Sequence, residues 1–297
     1  MGMTTLPRAT WPAVLPRRRR RAGTPPPGVW AAAAVLALIA VAVVWPDLLA
    51  THAPDQGDPV DALAPPSLGH PFGTDQLGRD VYSRVVHGAR PSLTIGLGAT
   101  TIAVLAGSLL GVLAATGGRV LDELIMRVSD VFLAFPGLLL SLLIVAVLGT
   151  GTLNATLAIG ASLVPGFVRL ARGQALVVRN SDYVRTAVTL GRRRTDILGR
   201  HVLPNALPPL LVLAMINVGT AVIAGSSLSF LGLGPKPPTP EWGAMLSEGR
   251  DFLGTAWSLA VFPGLAVTAT VLAVNVVGRW LQRRFEGRLP SVERSGR

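Results

Sequence analysis

The sequence predicts an all-α protein of the polytopic membrane class, a bundle of six transmembrane helices, and three observations lead there. Half of the 297 residues are hydrophobic and only 14% are charged, against roughly 25% in an ordinary soluble domain. Six segments stay apolar for about the 20 residues that a bilayer-crossing helix needs. The charged residues fall between those segments, and they sort by sign.

In chain order, spans are expected from Val29 to Leu49, Pro91 to Ala115, Val131 to Leu148, Thr152 to Val168, Asn205 to Leu231 and Thr255 to Gly278. Ahead of the first, Arg17 to Arg21 looks like the positive start of a signal peptide. The apolar run is too long for that, and Val43-Val44-Trp45-Pro46 is a poor small-x-small cleavage site, so the span is read as a retained anchor. Before the second span, the Gly73-Thr74-Asp75 turn is followed by Val81, Tyr82, Val85 and Val86 on one face. An interfacial helix is expected there, ending where Pro91 starts the span. Pro235, Pro237, Pro238 and Pro240 predict an extended, stiff segment before the sixth span, with Trp242 suited to the headgroup region. That segment reads either as a structural brace or as a contact for an external receptor.

The charges set the topology. With the N-terminus inside, the cytoplasmic segments 1–28, 116–130, 169–204 and 279–297 hold 22 basic and 7 acidic residues. The external loops 47–90 and 232–254 hold 5 and 9. The inside therefore nets +15 and the outside −4, as the positive-inside rule requires, with both termini cytoplasmic in the cell membrane. The net charge of +11 needs no nucleic acid to explain it.

Several function classes are excluded. No cysteine is present, so disulfides, thiolate catalysis and Cys-ligated metals are out. No ionisable side chain lies well inside a span, which argues against a proton-coupled carrier. Asn154, Asn217 and Asn275 are expected to make helix-to-helix hydrogen bonds. An intramembrane Ser/His hydrolase built on Ser226 fails because His52, His70, His87 and His201 all lie outside the spans. The only lysine, Lys236, sits between Pro235 and Pro237, so there is no Walker A loop and any ATP must be used by another subunit. Neither a catalytic residue nor a metal ligand set is expected, and the protein is not expected to be an enzyme.

The most informative segment is Arg179 to Pro204. Asn180, Ser181 and Asp182 are N-cap candidates, and Tyr183, Ala187 and Leu190 share one helical face. Gly191 suits the left-handed position that stops a helix. Thr195 can cap a second short helix carrying Ile197 and Leu198, and Pro204 marks the start of the fifth span. The result is a basic, amphipathic helix-turn-helix, either a docking element or a loop lying on anionic lipid.

This segment resembles the EAA loop of ABC-importer permeases, with Thr186, Ala187, Gly191, Leu203 and Pro204 at the matching places. Three further stretches are similar to the dipeptide/oligopeptide/nickel branch, second permease type: HPFGTDQLGRDVYSRVVHGARPSL (His70 to Leu93), SDVFLAFPGLLL (Ser129 to Leu140) and SFLGLGPKPPTPEWGAML (Ser229 to Leu246). With HVLPNALPPLLV at His201 to Val212, the likeness covers residues 70–285. Where the family has an acidic residue followed by small ones, and Ala-Ser after the glycine, this chain has Thr186-Ala187-Val188-Thr189 and Gly191-Arg192-Arg193.

The resemblance implies a type I importer permease (MetI-like) architecture and a division into a basic tail (1–28), an anchor helix (29–49), the permease domain (70–285) with its coupling loop (179–204), and a C-terminal tail (286–297). It implies a coupling surface made of Asp182, Tyr183, Thr186, Ala187, Leu190, Gly191, Arg192, Asp196, Ile197, Leu203 and Pro204. It implies external receptor contacts at Pro237, Pro240 and Trp242. The implied partners are a homologous second permease, one or two ABC ATPase subunits, an extracytoplasmic solute-binding protein and membrane lipid. No cofactor is expected on this chain, because ATP is used by the partner ATPase subunits. The expected cargo is peptide, with a nickel chelate as the alternative within the family and a channel or scaffold outside the ABC class as the alternative beyond it.

Overall fold

The computed structural model describes residues 25–192, 196, 199–200 and 203–286. Its helices are α1 (Pro27–Val44), α2 (Pro46–Leu49), α3 (Val81–Thr116), α4 (Arg119–Leu133), α5 (Gly137–Leu148), α6 (Thr152–Arg179), α7 (Asp182–Thr189), α8 (Leu203–Phe230), α9 (Trp242–Gly249) and α10 (Ser258–Glu286). Among the described residues extended pairing is limited to two isolated bridges, Gly57 with Arg79 and Thr74 with Asp80. Among the described residues five helices (α1, α3, α6, α8 and α10) are long and apolar enough to cross a membrane, and the bent pair α4–α5 makes a sixth if taken as one span.

The packing of α3 against α6 organises the bundle. Along α3, Gly96, Ala99, Ala103, Gly107 and Gly111 recur every three or four residues, so one face is made of small side chains. A Cβ on Gly107 would stand 2.4 Å from Phe167 Cβ, and one on Gly111 2.5 Å from the Val168 carbonyl oxygen. Backbones meet this closely only where side chains are small, the usual route to tight helix packing in lipid. The contacts advance together, Gly98 at Thr156, Gly107 at Phe167 and Gly111 at Ala171, so α3 and α6 run parallel. Gly96 meets Val222 while Gly225 meets Ile95, so α8 runs the opposite way. Gly219 against Val271 and Gly278 against Met215 then make α10 antiparallel to α8.

Parallel α3 and α6 need a return crossing between them, and here the structure corrects the expected third span. The uniform helix from Val131 to Leu148 is broken, and α4 and α5 meet at 95°. Pro136 is the cause, since it disfavours a helical residue before it and donates no hydrogen bond of its own. The 12 residues of α5 reach about 18 Å, short of the roughly 30 Å hydrocarbon core. The second span is corrected too. No separate interfacial helix precedes it, because α3 is one helix of 36 residues with Pro91 inside. Pro91 sacrifices a single bond, to the His87 carbonyl, and its fixed φ is helical. Val81 and Val86 are buried in the bundle instead of lying on lipid.

Other boundaries shift for local reasons. The first span breaks after Val44 because Pro46 opens α2. α6 continues past Val168 to Arg179, where Ala171, Ala175 and Val178 remain buried. The fifth span matches closely, and α10 runs on to Glu286, with Arg283 and Arg284 complementing its C-terminal dipole. Asn154 bridges helices as expected, donating from α6 to the Leu148 carbonyl at the end of α5 and to Gly149. Asn217 and Asn275 do not, since they donate to the carbonyls four residues back, Leu213 and Val271. An i−4 carbonyl is always within reach, so a short amide satisfies itself locally.

Candidate functional site

Two polar assemblies lie at opposite ends of α3. At its C-terminal end, α7 sits beside the ends of α3 and α6. Arg179, the last residue of α6, donates from Nη1 to the Ala115 carbonyl at 2.8 Å, satisfying one of α3's final acceptors. Val184 of α7 is 2% exposed and clusters with Val112, Ala115, Ala175 and Val178. α4 closes the same end: Arg172 reaches Asp122 through two bonds, Nε to Oδ1 at 2.5 Å and Nη2 to Oδ2 at 2.6 Å, and Arg169 reaches Asp130 at 2.6 Å.

The other described side chains of α7 and the start of its turn face outward. Asp182, Thr186, Gly191, Arg192 and Asp196 are exposed, and Leu190 is 76% exposed. Gly191 has φ +75°, and among the described residues no atom lies within 4 Å of where its Cβ would be. A left-handed glycine thus ends the helix and presents the turn to solvent, as its position in the sequence suggests. Ser181 behaves differently from a simple N-cap, since its hydroxyl donates back to the Val178 carbonyl at 2.5 Å and so serves the end of α6. Pro204 is exposed at the start of α8. Only the backbone is described for Tyr183, Ala187 and Leu203, while Thr195, Ile197 and Leu198 lie outside the described residues. Val184, the residue that seats α7, is absent from the sequence reading, because its partners come from distant parts of the chain.

At the N-terminal end of α3, the segment His70 to Ser92 and helix α9 form a compact polar plate. Asp75 accepts from the Leu77 and Arg79 N–H groups through Oδ1 and from Arg79 Nε through Oδ2 at 2.7 Å. Arg84 Nε stands 3.4 Å from the same Oδ2, and Glu248 Oε2 approaches both guanidinium groups, at 3.7 Å from Arg79 and 3.5 Å from Arg84. Two buried arginines are thereby matched by two carboxylates, as buried charges require. Asp80 caps α3 by accepting from the Ser83 N–H at 2.8 Å. Ser83 Oγ in turn accepts from the N–H groups of Thr51 and His52, tying the chain that follows α2 to the start of α3.

The expected external contacts are corrected in part. Trp242 is no headgroup anchor. It is 2% exposed and rests over Gly88, and its indole N–H donates to the Val85 carbonyl at 2.8 Å. Its amphipathic ring found an internal acceptor, so its side chain braces α9 and is not free surface. Pro237 is exposed and Pro240 half-buried. The proline segment is no extended rod. Leu233 N–H bonds to the Leu228 carbonyl and Gly232 N–H to that of Ser229, a Schellman closure of α8 with Gly232 at φ +80°. Pro237-Pro238 is cis, and Thr239 N–H turns back to the Lys236 carbonyl.

A bundle of apolar helices with a short amphipathic helix held at one end is the build of a polytopic membrane protein. The chain belongs to the family of binding-protein-dependent transport system inner membrane components, whose model matches residues 107–290. It is 42% identical over 246 residues to a probable D,D-dipeptide transport system permease protein of Escherichia coli K12, covering 83% of each chain. It is 39% identical to a dipeptide transport system permease protein of Alkalihalophilus pseudofirmus, over 86% of this chain and 84% of that one. A glutathione transport system permease protein of Pectobacterium atrosepticum is 40% identical, over 86% and 85%. Among solved structures, the inward-facing MetNI methionine ABC transporter has the same fold, with a TM-score of 0.56 at 17% identity, over 68% of this chain and 95% of that chain.

Proposed function

We propose that this chain is one of two permease subunits of an ABC importer that takes up short peptides, delivered by an extracytoplasmic solute-binding protein. The observation that carries the coupling part is the seating of α7: Val184 anchors it to the ends of α3 and α6, while Leu190, Gly191 and Arg192 stay exposed beside it. A helix held firmly on one face and open on the other transmits a push along the two helices that organise the bundle. A homologous second permease completes the path, and ATP binding draws two partner ATPase subunits together. Their closure moves the α7 turn, and the bundle changes access by rigid-body motion. This chain binds no ATP and catalyses no covalent step.

The peptide assignment rests on the relatives, named for dipeptide and glutathione transport. The orientation rests on the sorted charges, which put the α7 end and both termini in the cytoplasm and the Asp75–Glu248 plate outside. Pro237 and Pro240 then lie on the side of the binding protein. The test is uptake of a labelled dipeptide into proteoliposomes containing both permeases, the ATPases and the binding protein. Uptake is expected only when every component and ATP are present. Solute movement by this chain alone would sink the reading.

A further inference from the structure

His52, His70 and Asp80 come from three separate stretches of chain and meet at the edge of the plate. His70 Nδ1 stands 3.1 Å from Asp80 Oδ1, and His52 Nδ1 stands 3.8 Å from Asp80 Oδ2. The imidazole centroids are 4.9 Å apart, and one ligand atom from each of the three residues lies within 4.8 Å of the others. With metal–ligand bonds of about 2.0–2.1 Å in a tetrahedron, neighbouring ligand atoms stand about 3.3 Å apart. His70 Nδ1 already stands near that distance from Asp80 Oδ1, and the half-exposed His52 ring, which stands nearer Oδ2, must move closer to share the same ion.

The surroundings suit an ion as well. Asp80 is 1% exposed, and its Oδ2 is held by the Ser83 N–H at 2.8 Å and the Thr51 hydroxyl at 3.3 Å. Among the described residues its Oδ1 takes only the His70 contact, which a shared ion would replace. The Ser83 and Thr51 hydrogen bonds to Oδ2 orient the carboxylate, as such supports do for ligating groups, while the 3.0 Å contact of Thr51 Oγ1 with His52 Nδ1 gives way to the ion. The His52 side chain is 46% exposed, which leaves a path for the ion and a fourth position for water. Two imidazoles and one carboxylate favour borderline ions such as zinc over magnesium or calcium.

We propose that His52, His70 and Asp80 form a site for a zinc-class divalent cation. The bound ion clamps the chain leaving α2 to the His70 loop and to the N-cap of α3, at the end of the bundle opposite Gly191. The test is calorimetric titration of the untagged full-length chain in detergent with zinc chloride, with cobalt(II) absorption reporting the ligand field. One ion per chain is expected. His52→Ala should bind at least tenfold more weakly while keeping the parent's melting midpoint in the absence of zinc, and His70→Gln should also bind more weakly. His87→Ala should bind like the parent, because that ring pairs with Asp47 instead, at 3.2 Å. Lack of stoichiometric binding by the parent chain, or undiminished binding by His52→Ala, overturns the assignment.

Discussion

Glu241 and Ser92, 149 residues apart in the chain, share a 2.7 Å hydrogen bond in which both side chains are buried. The other oxygen of Glu241 accepts from the Ala244 N–H at 3.0 Å and caps α9. Ser92 Oγ also receives the Trp242 N–H at 3.2 Å. One carboxylate thus starts a short helix and fastens it to α3, so the plate and the bundle are a single packed unit. Glu241→Ala leaves the Ser92 hydroxyl and the Ala244 N–H without their acceptor. Each buried orphan costs about 1–3 kcal/mol, so the melting midpoint in nanodiscs should fall by several degrees. Glu241→Gln keeps one acceptor and should fall by less. Equal stability of parent and Ala variant would show that the bond is idle.

The α3–α6 contact makes a sharper prediction, because the same mutation has opposite expected effects at two glycines. At Gly107 a new Cβ would lie 2.4 Å from Phe167 Cβ and 2.9 Å from the Val164 carbonyl oxygen. Gly107→Ala must push the helices apart, and overpacking of this kind costs about 1–3 kcal/mol. At Gly166, inside α6, nothing lies within 4 Å of the new atom. Gly166→Ala should be neutral or stabilising by up to about 1 kcal/mol through helix propensity. Thermal melts of the two single variants decide the matter, and a loss at both positions would contradict the packing.

How much of this was legible beforehand depends on the range of the cause. The spans were readable because a long apolar run is a local property. The break at Pro136 was not, since Phe132, Leu133, Ala134 and Phe135 keep the hydropathy high through the bend. The Gly191 turn was legible because only its own backbone demands the glycine. Trp242 misled, because a tryptophan beside prolines reads as interfacial by composition, whereas its burial is decided by Gly88 and the Val85 carbonyl on another helix. Val184 was hidden for the same reason. The arginines and carboxylates of the plate stood in plain sight within a recognisable motif, but their pairing with Glu248 is tertiary.

The Asp122–Arg172 pair invites a double-mutant cycle. Both side chains are partly buried, and the contact is bidentate, which strengthens an ion pair beyond the exposed surface kind. Asp122→Asn and Arg172→Gln should each destabilise the chain, and the coupling energy should be about 1 kcal/mol, at the upper end for exposed pairs. Their combined effect will then be smaller than the sum of the single effects. Strict additivity in the melts would mean that the two groups do not stabilise each other.

The α7 turn carries the functional prediction. At Gly191→Arg the new Cβ meets no described residue within 4 Å, but φ +75° is strained for a side chain by about 1–2 kcal/mol. The turn must therefore either hold that strain or change shape, and it also gains bulk on the surface proposed to meet the ATPase. Val184→Asp attacks the opposite face, placing a charge among Val112, Ala115, Ala175 and Val178. That burial is unfavourable enough to lift α7 from the bundle. Both variants should insert normally and assemble with basal ATP hydrolysis retained, while ATP-driven peptide uptake falls at least tenfold. Gly191→Ala should lie between them and the parent, because it carries the strain without the bulk. The check is hydrolysis and uptake measured on the same proteoliposomes. Normal uptake by Gly191→Arg at equal protein level would remove the turn from the coupling path, whereas loss of hydrolysis and uptake together would point to failed assembly.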